Sequence, residues 1–123
     1  MPKIVVVDDS KLMRTMLRGL LEQAGHEVEI WEDVIAMEIP ERIGGTNPDL
    51  VITDYQMPGC NGLTLARMVK RTNPELPIVV LTATHDPSVV MSLTRQEVSC
   101  ILFKPIKGEA LLAAVSQALA QSL

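Results

Sequence analysis

Three observations predict an α/β fold, a doubly wound parallel sheet with helices on both faces. Five short apolar runs alternate with five segments of helical periodicity. The runs at 4–7, 50–53 and 78–81 are almost continuously apolar, as strands covered on both faces must be. Polar residues with chemical capacity follow several of these runs, at the carboxyl edge where open α/β sheets collect ligands. The expected architecture is a (βα)5 sandwich with a five-stranded parallel sheet of order 2-1-3-4-5. It fills one domain over residues 1–123.

The first run, Ile4 to Val7, ends at Asp8 and Asp9, and Ser10 offers a cap for a helix over 11–24. Leu12, Met13, Met16, Leu17, Leu20, Leu21 and Ala24 make its apolar face; Arg14, Thr15, Arg18 and Glu22 fall mostly away from it. Gly25 suits the helix stop. Glu27 to Ile30 alternates like a strand near the sheet edge. Residues 34–43 suggest a second helix, short or bent, because Pro40 falls inside the pattern. Gly44 and Gly45 are expected to close it. The strand at 50–53 leads into Asp54 and a Pro-Gly turn, and a third helix covers about 62–71. Ile78 to Leu81 is the fourth strand, ended by Thr82. Pro87 suits the first turn of a helix over 87–95. Ser99 to Phe103 is the fifth strand, ended by Lys104 and Pro105. The last helix covers about 107–121.

Composition narrows the function. The 123 residues carry a formal charge of -4, with 47% hydrophobic and 21% charged residues. This is globular composition, and its acidic balance argues against a nucleic-acid surface, which needs cations. Cys60 and Cys100 have no metal-ligand spacing, and a reducing, cytoplasmic compartment is expected. No apolar run approaches membrane-spanning length.

Taken singly, the strand-end residues have plain readings. Asp54 can start a turn, Asp8 and Asp9 can form a turn before a cap, Thr82 can be a turn residue, and Lys104 can be a solvated strand end. Taken together they form a constellation. With the strand order above, Asp8, Asp9 and Asp54 meet where the order reverses, and Thr82 and Lys104 approach from one side. Three carboxylates repel one another and call for a hard divalent cation, and Mg²⁺ commonly takes one or two carboxylates, waters and phosphate oxygens. Lys104 adds a mobile point charge and Thr82 a hydroxyl for phosphoryl oxygens. Such a set suits phosphoryl transfer onto Asp54, since carboxylates serve as nucleophiles in this chemistry.

The chain closely resembles the receiver domain of two-component response regulators. The matching stretches are V-V-V-D-D-S at 5–10, D-L-V-I-T-D-Y-Q-M-P at 49–58, V-V-L-T-A at 79–83 and F-K-P-I at 103–106. The resemblance implies a flavodoxin-like sheet and a phosphorylation switch. By it, Asp54 is the phosphoacceptor, taking a phosphoryl group from a phosphohistidine of a histidine kinase or phosphotransfer protein. Asp9 and Asp54 would be direct Mg²⁺ ligands, Asp8 a ligand mainly through water, and the backbone carbonyl of Gln56 the third protein ligand. Thr82 would be the switch hydroxyl, Lys104 the lysine that pairs with the phosphoryl group, and Pro105 the residue that aims it through a cis bond. Gln56 and Thr84 match positions that tune slow self-catalysed dephosphorylation. The signal would change the surface of the fourth helix, fifth strand and fifth helix for an output domain, a target protein or a phosphorylation-dependent homodimer. No nucleic acid and no membrane are expected as partners of this domain.

Four places depart from the family pattern. Ile101 stands where an aromatic residue usually swings with activation. Cys60-Asn61 replaces a common Met-Asp, and Cys60 reads as an inert small side chain near the site. Glu97-Val98 replaces the usual Gly-Ala. Residues 32–43 lack the common Gly-x-x-Ala. Two other functions compete with the switch: a receiver-like interaction module that is never phosphorylated, which calls for a damaged site, and a metal-dependent phosphohydrolase. The hydrolase typically wants a second Asp two residues after the nucleophile, where this chain has Gln56. The expected protein is therefore self-modifying, not a turnover enzyme.

Overall fold

In a computed structural model of the protein, residues 1–121 are described; the last two positions of the expected 1–123 domain lie outside them. Five strands, β1 (Lys3–Val7), β2 (Glu27–Trp31), β3 (Leu50–Asp54), β4 (Ile78–Thr82) and β5 (Cys100–Phe103), pair in parallel in the order β2-β1-β3-β4-β5. Five helices follow them: α1 (Lys11–Gln23), α2 (Ile39–Thr46), α3 (Gly62–Thr72), α4 (Pro87–Arg95) and α5 (Gly108–Gln121). The expected order and alternation are both present.

The central strands β1, β3 and β4 are mostly apolar because each feeds two cores, while the edge strand β2 alternates with Glu27 and Glu29. Ile4, Val6, Leu50, Ile52, Val79 and Leu81 pack with Leu17 and Leu21 of α1 and Leu111 and Val115 of α5. The intervening Val5, Val7, Val51, Ile78 and Val80 pack with Ile39 and Ile43 of α2, Leu65 and Val69 of α3, and Leu93 of α4. A period of two thus sends alternate side chains to opposite faces, both sealed from water. Register then fixes the carboxyl edge: Val7 lies opposite Thr53, Asp54 opposite Leu81, and Thr82 opposite Phe103.

The second helix differs from its expected form. A single 3-10 turn, Ala36–Glu38, runs into α2, and Pro40 occupies the first turn of that helix. There its missing N–H would have had no intrahelical partner, so the proline starts the helix and does not kink it. Gly44 and Gly45 lie inside α2 and do not close it. The stop is Asn47, in the left-handed region at φ 51°, whose N–H donates to Ile43 O at 2.7 Å. Asparagine tolerates this conformation better than most residues.

Gly62 opens α3 for a steric reason. A Cβ there would stand 2.9 Å from both Asp54 O and Tyr55 Cα. The helix start is pressed against the end of β3, and the Gly62 N–H donates to Tyr55 O at 2.7 Å. Asn61 caps the same helix, its Oδ1 accepting from Thr64 N at 2.8 Å. This closure fixes the loop that follows Asp54.

Two helices end in the same hydrogen-bonded motif with different residues at its left-handed position. After α1, Gly25 takes φ 93°, with Gly25 N–H donating to Glu22 O and His26 N–H to Leu21 O, both at 3.0 Å. After α4, Glu97 takes φ 60°, with Glu97 N–H donating to Thr94 O at 2.9 Å and Val98 N–H to Leu93 O at 3.5 Å. Glu97-Val98 therefore keeps the turn that a glycine would make, and Val98 packs against the core that holds Leu93. A side chain in this region is disfavoured by about 1 kcal/mol, part of which glycine gives back through its freer unfolded chain. Glu97→Gly is expected to raise unfolding stability by about 0.5–1 kcal/mol in a denaturant titration, whereas Gly25→Glu lowers it. A loss of stability in Glu97→Gly would show that the Glu97 side chain is itself stabilising.

Candidate functional site

The site is assembled where β1 and β3 are neighbours and the chain has crossed from one side of the sheet to the other. Asp8 follows β1 and is fully buried. Its Oδ1 accepts from Ser10 N at 2.8 Å, while Oδ2 has no partner among the described residues. Ser10 in turn caps α1, its hydroxyl accepting from Met13 N at 3.3 Å. Arg14, one helical turn on, donates from Nη1 to Asp8 O at 3.0 Å and sits 3.7 Å from Glu32 Oε1 through Nη2. The connection from β1 to α1 is thus held from three directions.

Asp54 is the last residue of β3, and its side chain is 8% exposed. Tyr55 N–H continues the ladder by donating to Leu81 O at 2.8 Å, and the Thr53 hydroxyl donates to Asp54 O at 2.9 Å. Lys104 reaches it from beyond β5, with Nζ 3.0 Å from Asp54 Oδ1. The Lys104 backbone is anchored where its N–H donates to Thr82 O at 2.8 Å, and the Lys104-Pro105 bond is cis, as expected. Thr82 is 1% exposed, and its Oγ1 accepts from Thr84 N at 3.1 Å.

The electrostatics follow from this geometry. One carboxylate oxygen each from Asp8, Asp9 and Asp54 can be chosen within 4.8 Å of one another. Asp9 is exposed and the other two are buried. Loss of water holds the Asp8 carboxyl above the ordinary carboxylate range; the Ser10 N–H opposes this, Asp54 reinforces it, Lys104 opposes it and Asp9 reinforces it. Lys104 neutralises one of three close negative charges. A buried carboxylate oxygen without a protein donor, beside two further carboxylates, suits a hard divalent cation. A cleft of about 350 Å³ adjoins the cluster, lined by Asp9, Arg14, Glu32, Val34, Met57 and Pro58 among others.

The candidates named from the sequence fall unequally. Asp8, Asp9, Asp54 and Lys104 come together, with Thr82 at the adjoining strand end. Gln56 is exposed in the loop after β3, and Thr84 is half-buried in the connection after β4. Ile101 is half-buried in β5 and packs on the core of α2, α3 and α4. Cys60 is buried and donates weakly from Sγ to Asn61 O at 3.6 Å; burial pushes its thiol pKa up, away from the reactive thiolate. Arg14 and Asp86 were given no role from the sequence, and Asn61 was named as a departure from the family pattern but not as the cap of α3. Asp86 caps α4 by accepting from Ser88 N at 3.0 Å, and the sequence Asp-Pro at 86–87 is a readable cap signal. Arg14 left no such signal, because its target is a backbone carbonyl.

The buried Asp8 gives a stability signature in metal-free protein. Its folded-state pKa lies above the ordinary 3.8, so the folded chain binds that proton more tightly than the unfolded chain. The resulting stabilisation is fully present below the ordinary value and is lost as pH rises through the folded-state value. In the presence of a chelator, Asp8→Asn should therefore gain stability over the wild type as pH rises above the ordinary carboxylate value. Thermal melts at several pH values test this; a difference independent of pH would refute it.

Comparison with known proteins matches this geometry. The family model described as the response regulator receiver domain matches residues 4–116. The chain is 32% identical over 114 residues to the DNA-binding transcriptional regulator NtrC of Escherichia coli (strain K12), covering 93% of this chain and 24% of that protein. It is 36% identical over 111 residues to the response regulator MprA of Mycobacterium sp. (strain KMS), covering 90% of this chain and 47% of that protein. The chain thus spans between a quarter and a half of the length of these curated relatives. Among solved structures, a response regulator receiver domain protein from Clostridium thermocellum superposes with a TM-score of 0.88 at 26% identity, covering 98% of this chain and 96% of the other. The acidic cluster, the sheet order and a family match over nearly the whole chain agree: this protein belongs to the response regulator receiver domain family.

Proposed function

We propose that Asp54 is the phosphoacceptor of this receiver domain. Family membership and the acidic cluster make the domain a phosphorylation-dependent switch that acts on itself and does not turn over a pool of substrate. The observation that carries the assignment to Asp54 is its contact with Lys104, 3.0 Å from a carboxylate that is nearly sealed from water at the end of β3. An ammonium held there orients the nucleophile and meets the negative charge that arrives with a phosphoryl group.

In the proposed reaction an Asp54 oxygen attacks the phosphorus of a phosphohistidine on a histidine kinase or phosphotransfer protein. The new P–O bond forms as the P–N bond breaks, and the departing imidazole takes a proton from solvent. Reversal of the signal needs water to attack the same phosphorus, which restores the carboxylate and releases inorganic phosphate. Asp8, Asp9, Asp54 and the Gln56 carbonyl are the proposed Mg²⁺ holders, and the orphaned Asp8 Oδ2 supports that assignment. When bound, the ion supplies a positive charge that neutralises phosphoryl oxygens. Thr82 is the proposed hydroxyl donor to the phosphoryl group. Its oxygen accepts from Thr84 N, and the O–H is a separate donor that can serve a phosphoryl oxygen. Thr84 and Gln56 are the proposed modulators of phosphoryl lifetime, and Pro105 the residue that aims Lys104.

The new group brings roughly one and a half to two negative charges at neutral pH. Drawing Thr82 and Lys104 toward it would shift the face built from α4, β5 and α5, where Ile101 takes the place of an aromatic side chain. That face is the proposed contact for an output domain, a target protein or a second copy. We assign residues 1–123 to one receiver domain acting in the cytoplasm; no helix of the described residues is long and apolar enough to cross a membrane.

With Mg²⁺ and acetyl phosphate, intact mass should rise by one phosphoryl group, and Asp54→Ala should show no gain. Lys104→Ala is expected to keep Mg²⁺ binding and lose most of the phosphorylation rate, on the order of a hundredfold for one missing charge-stabilising group. No mass gain in the wild type, together with no Mg²⁺ binding, would overturn the assignment.

A further inference from the structure

The connection between β4 and α4 is tied to the sheet by a contact that the acidic cluster does not use. His85 lays its imidazole flat on the ring of Phe103, with centroids 4.3 Å apart and planes 13° from parallel. Phe103 ends β5 immediately before Lys104 and stands opposite Thr82 in the parallel ladder. It is 38% exposed, so the stack lies at the surface and not in either core. Core packing therefore does not account for it.

The backbone between this stack and Asp54 is short and bonded at each step. Lys104 N–H donates to Thr82 O at 2.8 Å, Thr84 N–H to Thr82 Oγ1 at 3.1 Å, and Asp86 N–H to Thr84 Oγ1 at 3.2 Å. Ala83, His85, Asp86 and Pro87 are exposed, and Thr84 is half-buried. The segment has almost no apolar burial of its own, and local opening is easiest where burial is sparse. The ring of His85 adds a side-chain tie to β5 beyond Thr82, whose backbone is already held by the Lys104 N–H.

We infer that His85 and Phe103 are a positioning pair that holds Thr82–Thr84 against the end of β5 and so limits access of water to phosphorylated Asp54. The inference rests on Asp54 being the phosphoacceptor. Hydrolysis of the acyl phosphate forms a P–O bond from water and breaks the one to Asp54, so water must reach the phosphorus. Lys104 touches Asp54 directly, and the connection after β4 begins at the strand position next to Leu81, opposite Asp54. The stack joins these two flanks. When it opens, the exposed residues after Thr82 can move away from β5 while Thr82 stays in the ladder. A pair of stacked rings shifts such an equilibrium roughly three- to tenfold.

The test loads wild type, His85→Ala, His85→Phe, Phe103→Leu and the His85→Ala/Phe103→Leu double variant with acetyl phosphate and Mg²⁺. The donor is removed and the first-order loss of the phosphoryl mass is followed. His85→Ala and Phe103→Leu should each lose the group roughly three- to tenfold faster than wild type, and the double variant no faster than the faster single one. His85→Phe should stay within about twofold of wild type, because it keeps a ring for the stack. A merely structural role would not be rescued by a ring in this way. Wild-type rates in both single variants, fully multiplicative effects in the double variant, or a His85→Phe rate equal to that of His85→Ala would each overturn the pair. If the wild type takes up no phosphoryl group, the phosphoacceptor assignment fails and the pair falls with it. If it does and the variants lose it at the wild-type rate, only the pair fails.

Discussion

Three carboxylates that approach within 4.8 Å, one of them cut off from water, set the conditions for everything around them. Bringing Asp8, Asp9 and Asp54 together is unfavourable unless the charge is answered, and the protein answers part of it with Lys104. The remainder is the chemical demand of the site. That demand suits a hard divalent cation, and it holds the Asp8 carboxyl above the ordinary carboxylate range in metal-free protein. The surrounding scaffold keeps the carboxylates from separating. The β1–β3 register sets the two strand ends side by side, Ser10 and Arg14 hold the first loop, and the close approach of Gly62 to Asp54 O holds the second.

The same arrangement supports the proposed route by which a local charge would become a message. Thr82 and Lys104 are joined through the backbone, Lys104 N–H to Thr82 O, so a pull on either is felt by β4, β5 and the connection that starts α4. Half-buried Ile101 lies on the same strand as Phe103 but touches the core, while Phe103 is exposed and stacked on His85. The one phenylalanine of the chain thus stands two residues from the position at which the family usually carries an aromatic side chain.

Much of the fold was legible because strands covered on both faces must be apolar at nearly every position, and helices covered on one face must repeat at about 3.6 residues. With the alternation of Glu27 to Ile30 for the edge strand, those two periods locate the five strands and four of the five helices to within a residue or two. The second helix was misread where one residue type supports two structures. Pro40 breaks a helix from inside and begins one from its first turn, and the choice depended on Ile39, which is fully buried and draws the chain into the core at that point. Glu97 was a similar case. Its identity argued for an altered loop, yet the Schellman hydrogen bonds to Thr94 and Leu93 impose the left-handed turn on a residue that does not favour it.

By itself the sequence determined the chemistry on offer: which carboxylates, hydroxyl and lysine end the strands, and that the strands at 4–7, 50–53 and 78–81 must be buried on both sides. Side-chain type and periodicity are local properties, and they survive in a one-dimensional reading. Only the tertiary structure decided which of these groups share a surface and which atoms are left unpaired. Asp8 Oδ2 without a donor among the described residues, Arg14 on a backbone carbonyl, the room denied to a Cβ at Gly62 and the His85–Phe103 stack all depend on how strands, loops and helices pack in three dimensions. Those arrangements are set by strand register and helix packing, and no residue carries them alone.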